Sequence, residues 1–127
     1  MSIPELATLI EHRFRAERRN PFPYDEVEVL IRRHCTTEQI VVDLDIFHSA
    51  IDGYADSARA LAVLDEEKLL KARRDVSRPF FEVFPRNKPC QELITEKDTP
   101  RLYGRMRVAE DLRRELLSLL DSLLGQR

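Results

Sequence analysis

Apolar side chains recur every three or four residues along most of this chain, which is the spacing of one helix face. Ile3, Leu6, Leu9, Ile10 and Phe14 form the first stripe and predict a helix over residues 3–19, with Ser2 placed to cap it. The other face turns basic at Arg13, Arg15, Arg18 and Arg19. Asn20-Pro21-Phe22-Pro23 ends the helix, because proline lacks a backbone N–H and clashes with the preceding turn. Val27, Leu30, Ile31 and His34 share a helical face over 25–34, with Asp25 as the cap. "VEVLI" also alternates like a strand, but no second strand pattern offers it a partner, so helix is the reading.

The longest pattern follows. Thr36 and Gln39 match a capping box. Beyond them Ile40, Leu44, Phe47, Ile51, Ala55, Ala58, Ala62, Leu69, Ala72 and Val76 step by threes and fours. The step from Ile51 to Ala55, beside Gly53, is a stutter that predicts local unwinding or a bend. A single helix over 37–75 would be about 58 Å long. A domain of this size is roughly 30–40 Å across. The helix therefore bends, breaks or leaves its domain. Asp65-Glu66-Glu67 offers a fresh start for a second helix, with acids at the positive end of its dipole, so a break near 64–65 is the main alternative.

Next comes "RPFFEVFPRNKPC", residues 78–90, which holds three of the six phenylalanines. Ser77 is placed to cap a short turn through Phe84, and Asn87 another short helix with Cys90, Leu93 and Ile94. Thr99-Pro100 is a cap followed by a favoured first residue, and it opens a last helix that ends before Gly125. Early in that helix Leu102, Met106, Ala109 and Leu112 make one narrow stripe. Later Leu116, Leu117, Leu119, Leu120, Leu123 and Leu124 spread over an arc too wide for one neighbour. That arc requires two neighbours, or one neighbour and a second subunit. The expected fold is all-α: a single domain, 1–127, built as an irregular four- to five-helix bundle. It has one long, bent or broken helix and a leucine-rich C-terminal helix.

Composition agrees. Charged residues make up 35% of the chain, there are 3 glycines, and tryptophan is absent. The net charge of −2 gives no global attraction to nucleic acid or to an acidic membrane. The N-terminus lacks the pattern of a signal peptide, and no run is long enough to span a membrane. Cys35 and Cys90 lie far apart without metal-type spacing. They read as reduced thiols, with a disulfide between them as the alternative, and the thiol reading gives a cytoplasmic expectation.

Three groupings carry candidate chemistry. Asp45, His48, Asp52 and Asp56 share a helix face. They are half of a metal site in one reading, with Glu26 and Glu28 facing them, and a solvated acidic stripe in the other. The metal reading resembles helical nucleotide pyrophosphatases in outline, but the chain lacks their clean pair of Glu-x-x-Glu motifs. His34-Cys35 has no third group to orient it. The outline of a helix–turn–helix over 25–52 fails as a DNA reader, because its second helix begins with Glu38, Asp43 and Asp45. Charge is also divided along the chain. Residues 43–67 hold acids against Arg59 alone, whereas Lys68, Lys71, Arg73, Arg74, Arg78, Arg86 and Lys88 follow within 68–88. The two blocks could satisfy each other across a dimer.

The expectation is a non-catalytic helical protein-interaction module: an adaptor, assembly chaperone, inhibitor or regulator. Its partner is itself, as a homodimer, or a second protein. Arg78, Phe80, Phe81, Phe84, Arg86, Leu117, Leu120 and Leu124 are the contact candidates, and no cofactor is expected. Phe80 or Phe81, together with Phe84, is expected to point inward. The alternatives are a small metal-dependent hydrolase on the Asp45/His48/Asp52/Asp56 face, and an RNA or single-strand binder using 78–90.

Overall fold

The computed structural model describes residues 1–32, 35–86 and 88–125, with 37 and 40–43 described by backbone alone. The fold is all-α, and no strand occurs among the described residues. The helices are α1 (Ile3–Arg19), α2 (Tyr24–Ile31), α3 (Thr37–Ala58), α4 (Ala60–Val63), α5 (Glu66–Val76), α6 (Phe80–Val83), α7 (Lys88–Leu93) and α8 (Pro100–Gly125). No helix among the described residues is long and apolar enough to cross a membrane. His34 and the proposed Asn87 cap lie outside the described residues.

Local chemistry sets most boundaries. The Ser2 side chain accepts from Glu5 N at 3.3 Å and starts α1. The capping box forms in full: Thr36 Oγ1 accepts from Gln39 N at 3.1 Å, and Gln39 Oε1 accepts from Thr36 N at 2.8 Å. Asp65 Oδ1 accepts from Lys68 N at 3.1 Å and starts α5.

The long apolar seam is broken, though not at Gly53. α3 runs continuously through that glycine and ends at Ala58, giving a rod of about 33 Å that fits within the domain. Arg59 joins α3 to the short α4, and Leu64 then ends α4 in the left-handed conformation, at φ 59°. Glycine usually fills such a position, because a side chain there costs roughly 1–2 kcal/mol.

The four longest helices close into a ring: α1 packs on α3 and α8, and α5 packs on the same two. Ion pairs fix the directions. Arg18 meets Asp52, and Glu11 meets Arg59 further along α3, so α1 and α3 are antiparallel. Arg73 meets Asp121 while Arg113 Nη1 donates to the Val76 carbonyl, so α5 and α8 are antiparallel as well. This ring accounts for the leucine arc. With α1 on one side and α5 on the other, Leu116 and Leu120 are fully buried, and Leu117, Leu119, Leu123 and Leu124 pack partly buried against the core. The arc meets two neighbours within the chain, so it does not itself require a second subunit.

Phe47 sits at the aromatic centre of the core. Its ring lies 4.8 Å from Phe22 and 5.4 Å from both Phe80 and Phe84. Tyr54 joins Phe14 at 5.5 Å, and burial pushes its hydroxyl up to about 12. The expectation of two reduced thiols is corrected. Cys35, in the turn before α3, forms a disulfide with Cys90 of α7 across 55 residues, with the Cα atoms 6.7 Å apart. That separation lies within the span of ordinary disulfides. Spacing along the chain gave no sign of it, because folding of the whole chain brings the two positions together. The cytoplasmic expectation loses the support it took from free thiols.

Candidate functional site

The segment around α6 is a strap drawn across α8. Its anchor is a buried carboxylate. Glu110 is only 1% exposed, and Glu110 Oε2 accepts from Phe80 N at 2.6 Å. Phe80 is the first residue of α6, and Pro79 before it provides no side-chain cap, so Glu110 takes the place of one. Arg113 donates to the same carboxylate through Nε at 3.0 Å and Nη2 at 2.6 Å, and Arg114 donates through Nε at 3.0 Å. Arg113 Nη1 reaches back to the Val76 carbonyl at 2.7 Å, at the end of α5. Burial alone would raise the Glu110 pKa, but the bonds from Arg113, Phe80 N and Arg114 outweigh it and hold the carboxyl below its usual value. Arg113 is shifted up by its bond to Glu110. The sequence reading missed this pair. The signal was there: Glu110 and Arg113 interrupt the apolar stripe between Met106 and Leu116, where a solvated charge does not belong.

With the strap anchored, its phenylalanines divide. Phe80 and Phe84 are buried at 0% and 1% exposure, as the inward-pointing expectation had it. Phe81 stays partly exposed, with its ring 6.1 Å from Tyr103 of α8. Arg78 and Arg86 on either side are exposed and have no ion pair among the described residues. Of the expected contact residues, Phe80, Phe84 and Leu120 lie inside the core and can only support a surface. Arg78, Phe81, Arg86, Leu117 and Leu124 keep accessible area.

The acidic stripe of α3 has partners of its own. Arg18 Nε lies 3.4 Å from Asp52, and Arg15 Nη2 lies 3.4 Å from Asp56. Arg59 adds a contact to Asp56 at 3.8 Å and joins Glu11 at 2.8 Å. The Glu11 carboxyl is held below its usual range, first by the Arg59 hydrogen bond and then, against burial, by Arg15. Asp45 is exposed. No cluster of three or more His, Cys, Asp or Glu that could hold a metal occurs among the described residues. Arg18 and Arg15 of α1 pair with Asp52 and Asp56 of the stripe; among the described residues no ion pair joins the stripe to the basic block after residue 68. That block finds partners elsewhere, with Lys71 on Asp75 of its own helix at 3.0 Å and Arg73 on Asp121 of α8.

His48 turns away from the acids into an aromatic and cationic corner. Its ring lies 5.0 Å from Phe22 and 5.9 Å from Phe47, and its Nε2 is buried with no hydrogen-bond partner among the described residues. Burial, together with Arg18 and Arg105, holds its pKa below the usual value against the pull of Asp52 and Asp45. Arg105 closes the same corner. Its guanidinium stacks 4.5 Å from the Phe22 ring and 5.0 Å from Phe47, and it donates to the Glu17 and Pro21 carbonyls. A cation at these carbonyls satisfies the end of α1, where the helix dipole is negative.

Two open grooves lie on the surface of the described residues. One of about 490 Å³ lies between the end of α1 and the start of α8, lined by Glu17, Asn20, Pro21, Arg101, Gly104 and Arg105 among others. The other, about 480 Å³, runs between α3–α4 and α5 over Ser57, Ala60 and Ala72, with Lys68 and Lys71 on its wall. Comparison of the chain with family models, with characterised proteins and with solved structures finds no match.

Proposed function

We propose that this chain is a non-catalytic helical protein-interaction module whose contact surface is the outer face of the strap, and that its partner presents acidic groups. The observation that carries the reading is Phe81. It is the strap phenylalanine left partly exposed, it rests on Tyr103, and it stands between Arg78 and Arg86, which have no ion pair among the described residues. Aromatic and arginine side chains held on a rigid base are the groups that dominate the centres of protein interfaces. The rigid base here is the Glu110–Arg113 anchor beneath the strap. The flanks of Leu117 and Leu124 are the further apolar area offered, to a second protein or to a second copy of the chain.

The test is the mass of the species that the chain forms when isolated gently from its own cells. Native mass spectrometry of the wild type is expected to show a complex heavier than the 14.9 kDa chain. The double variant Arg78→Glu/Arg86→Glu should lose it while keeping its melting temperature. A wild type found only as a monomer, or a complex indifferent to both charge reversals, would overturn the reading.

A further inference from the structure

We infer that the Cys35–Cys90 disulfide is a redox-controlled clasp: formed, it holds α7 closed over the apolar core; reduced, it lets α7 swing open. α7 has six residues, too few to be stable on its own. Its main packing partner among the helices is α2, and the disulfide ties it to the turn between α2 and α3. One face of α7 is in water, at Lys88, Pro89, Gln91 and Glu92. The other face carries Cys90, fully buried, and closes on a small cavity lined by Val27, Ile31, Leu44, Phe84 and Ile94. The Gln91 side chain adds a polar tether to the Pro85 carbonyl. Among the described residues, no packing as extensive as that of α1–α3 or α5–α8 holds this element, so the covalent link supplies much of its hold.

The chemistry is thiol–disulfide exchange with a small-molecule disulfide such as oxidised glutathione. One cysteine thiolate attacks a glutathione sulfur and expels a glutathione thiolate. The second cysteine thiolate then attacks the mixed disulfide at the protein sulfur and expels the other glutathione. Each cysteine loses its proton to solvent and each departing thiolate takes one up, so the protein is oxidised by two electrons and the glutathione disulfide is reduced by two. Cys35 is 4% exposed and Cys90 0%, so an attacking reductant reaches the bond only when α7 moves. Opening and exchange are therefore coupled. The inference does not depend on the strap's having a partner.

Hydrogen exchange on the full chain tests it, run in oxidised and in reduced glutathione with the thiols counted by alkylation and mass. In oxidised buffer the chain should carry no alkylatable thiol. In reduced buffer it should carry both, and the amides of α7 should exchange at least tenfold faster while α1, α3 and α8 keep their protection. Cys35→Ser and Cys90→Ser should each reproduce the open state in oxidising buffer, and reduced wild type gives the same readout should either variant fold poorly. Equal protection of α7 in the two buffers would overturn the inference. So would loss of protection in every helix at once, or two free thiols under oxidised glutathione.

Discussion

The α1–α3 face and the strap–α8 junction are both held by arginine–carboxylate pairs, yet they sit at opposite ends of one scale. On the first face Arg18 and Asp52 are 43% and 47% exposed, and water screens them. In the second Arg113 and Glu110 are 5% and 1% exposed, and each group is enclosed by the other's bonds. An exposed pair is worth about 0.2–1 kcal/mol, whereas removing one partner of a buried pair costs about 3–5 kcal/mol. Residue type is the same in both places; burial decides which pair is a surface ornament of charge and which is a joint. The acidic stripe, conspicuous in the sequence, is the weaker device. The joint rests on Glu110, marked in the sequence only as a charge set within an apolar stripe.

The largest expected effect comes from breaking that joint. Glu110→Ala leaves Arg113 and the Phe80 N–H buried without their acceptor, and should lower stability by about 3–5 kcal/mol in urea unfolding. Glu110→Met with Arg113→Leu removes both charges together and should recover most of that loss. If the single and double variants are equally unstable, the comparison between the two regions fails.

His48 offers a smaller effect with a defined direction. Its pKa in the folded chain lies below the 6.5 of the free side chain, so the unfolded chain binds the proton more readily. Its contribution to stability is complete above 6.5 and is lost as the pH falls from there through the folded value. The slope from one such group is at most about 1.4 kcal/mol per pH unit. His48→Phe should flatten that part of the stability profile; an unchanged slope would mean that another group sets it. The smallest effect belongs to the surface lattice. Asp56→Asn should cost about 0.2–1 kcal/mol, with the difference shrinking as salt is added.

Much of the fold was legible because helix ends are written in local chemistry. Ser2, the Thr36/Gln39 box and Asp65 each bond to a backbone N–H three residues away, and a reader of the sequence needs nothing else to find them. The break after α4 was legible from Asp65-Glu66-Glu67 for the same reason. The local unwinding expected beside Gly53 does not occur, since a glycine weakens a helix without removing its hydrogen bonds, and α3 is one continuous helix through it. Contacts between distant segments were not legible. Asp52 and Asp56 find Arg18 and Arg15, 34 and 41 residues away, although an equally basic block follows directly in the sequence. Cys35 finds Cys90 in the same way. The inward turn of Phe84 and of one of its neighbours was legible from apolarity. That the inward neighbour is Phe80 follows from the hydrogen bond that its backbone N–H donates to Glu110, a contact 30 residues distant.

The most direct test of the strap as a contact surface sets the two regions against each other. A photo-cross-linking p-benzoylphenylalanine is placed at Phe81 in one variant and at the exposed Ser49 of α3 in another, and both are irradiated in the cells that make the chain. A discrete protein adduct at 81, absent at 49 and abolished by Arg78→Glu/Arg86→Glu, is the predicted result. No adduct at 81, or an adduct at 49 instead, would contradict it.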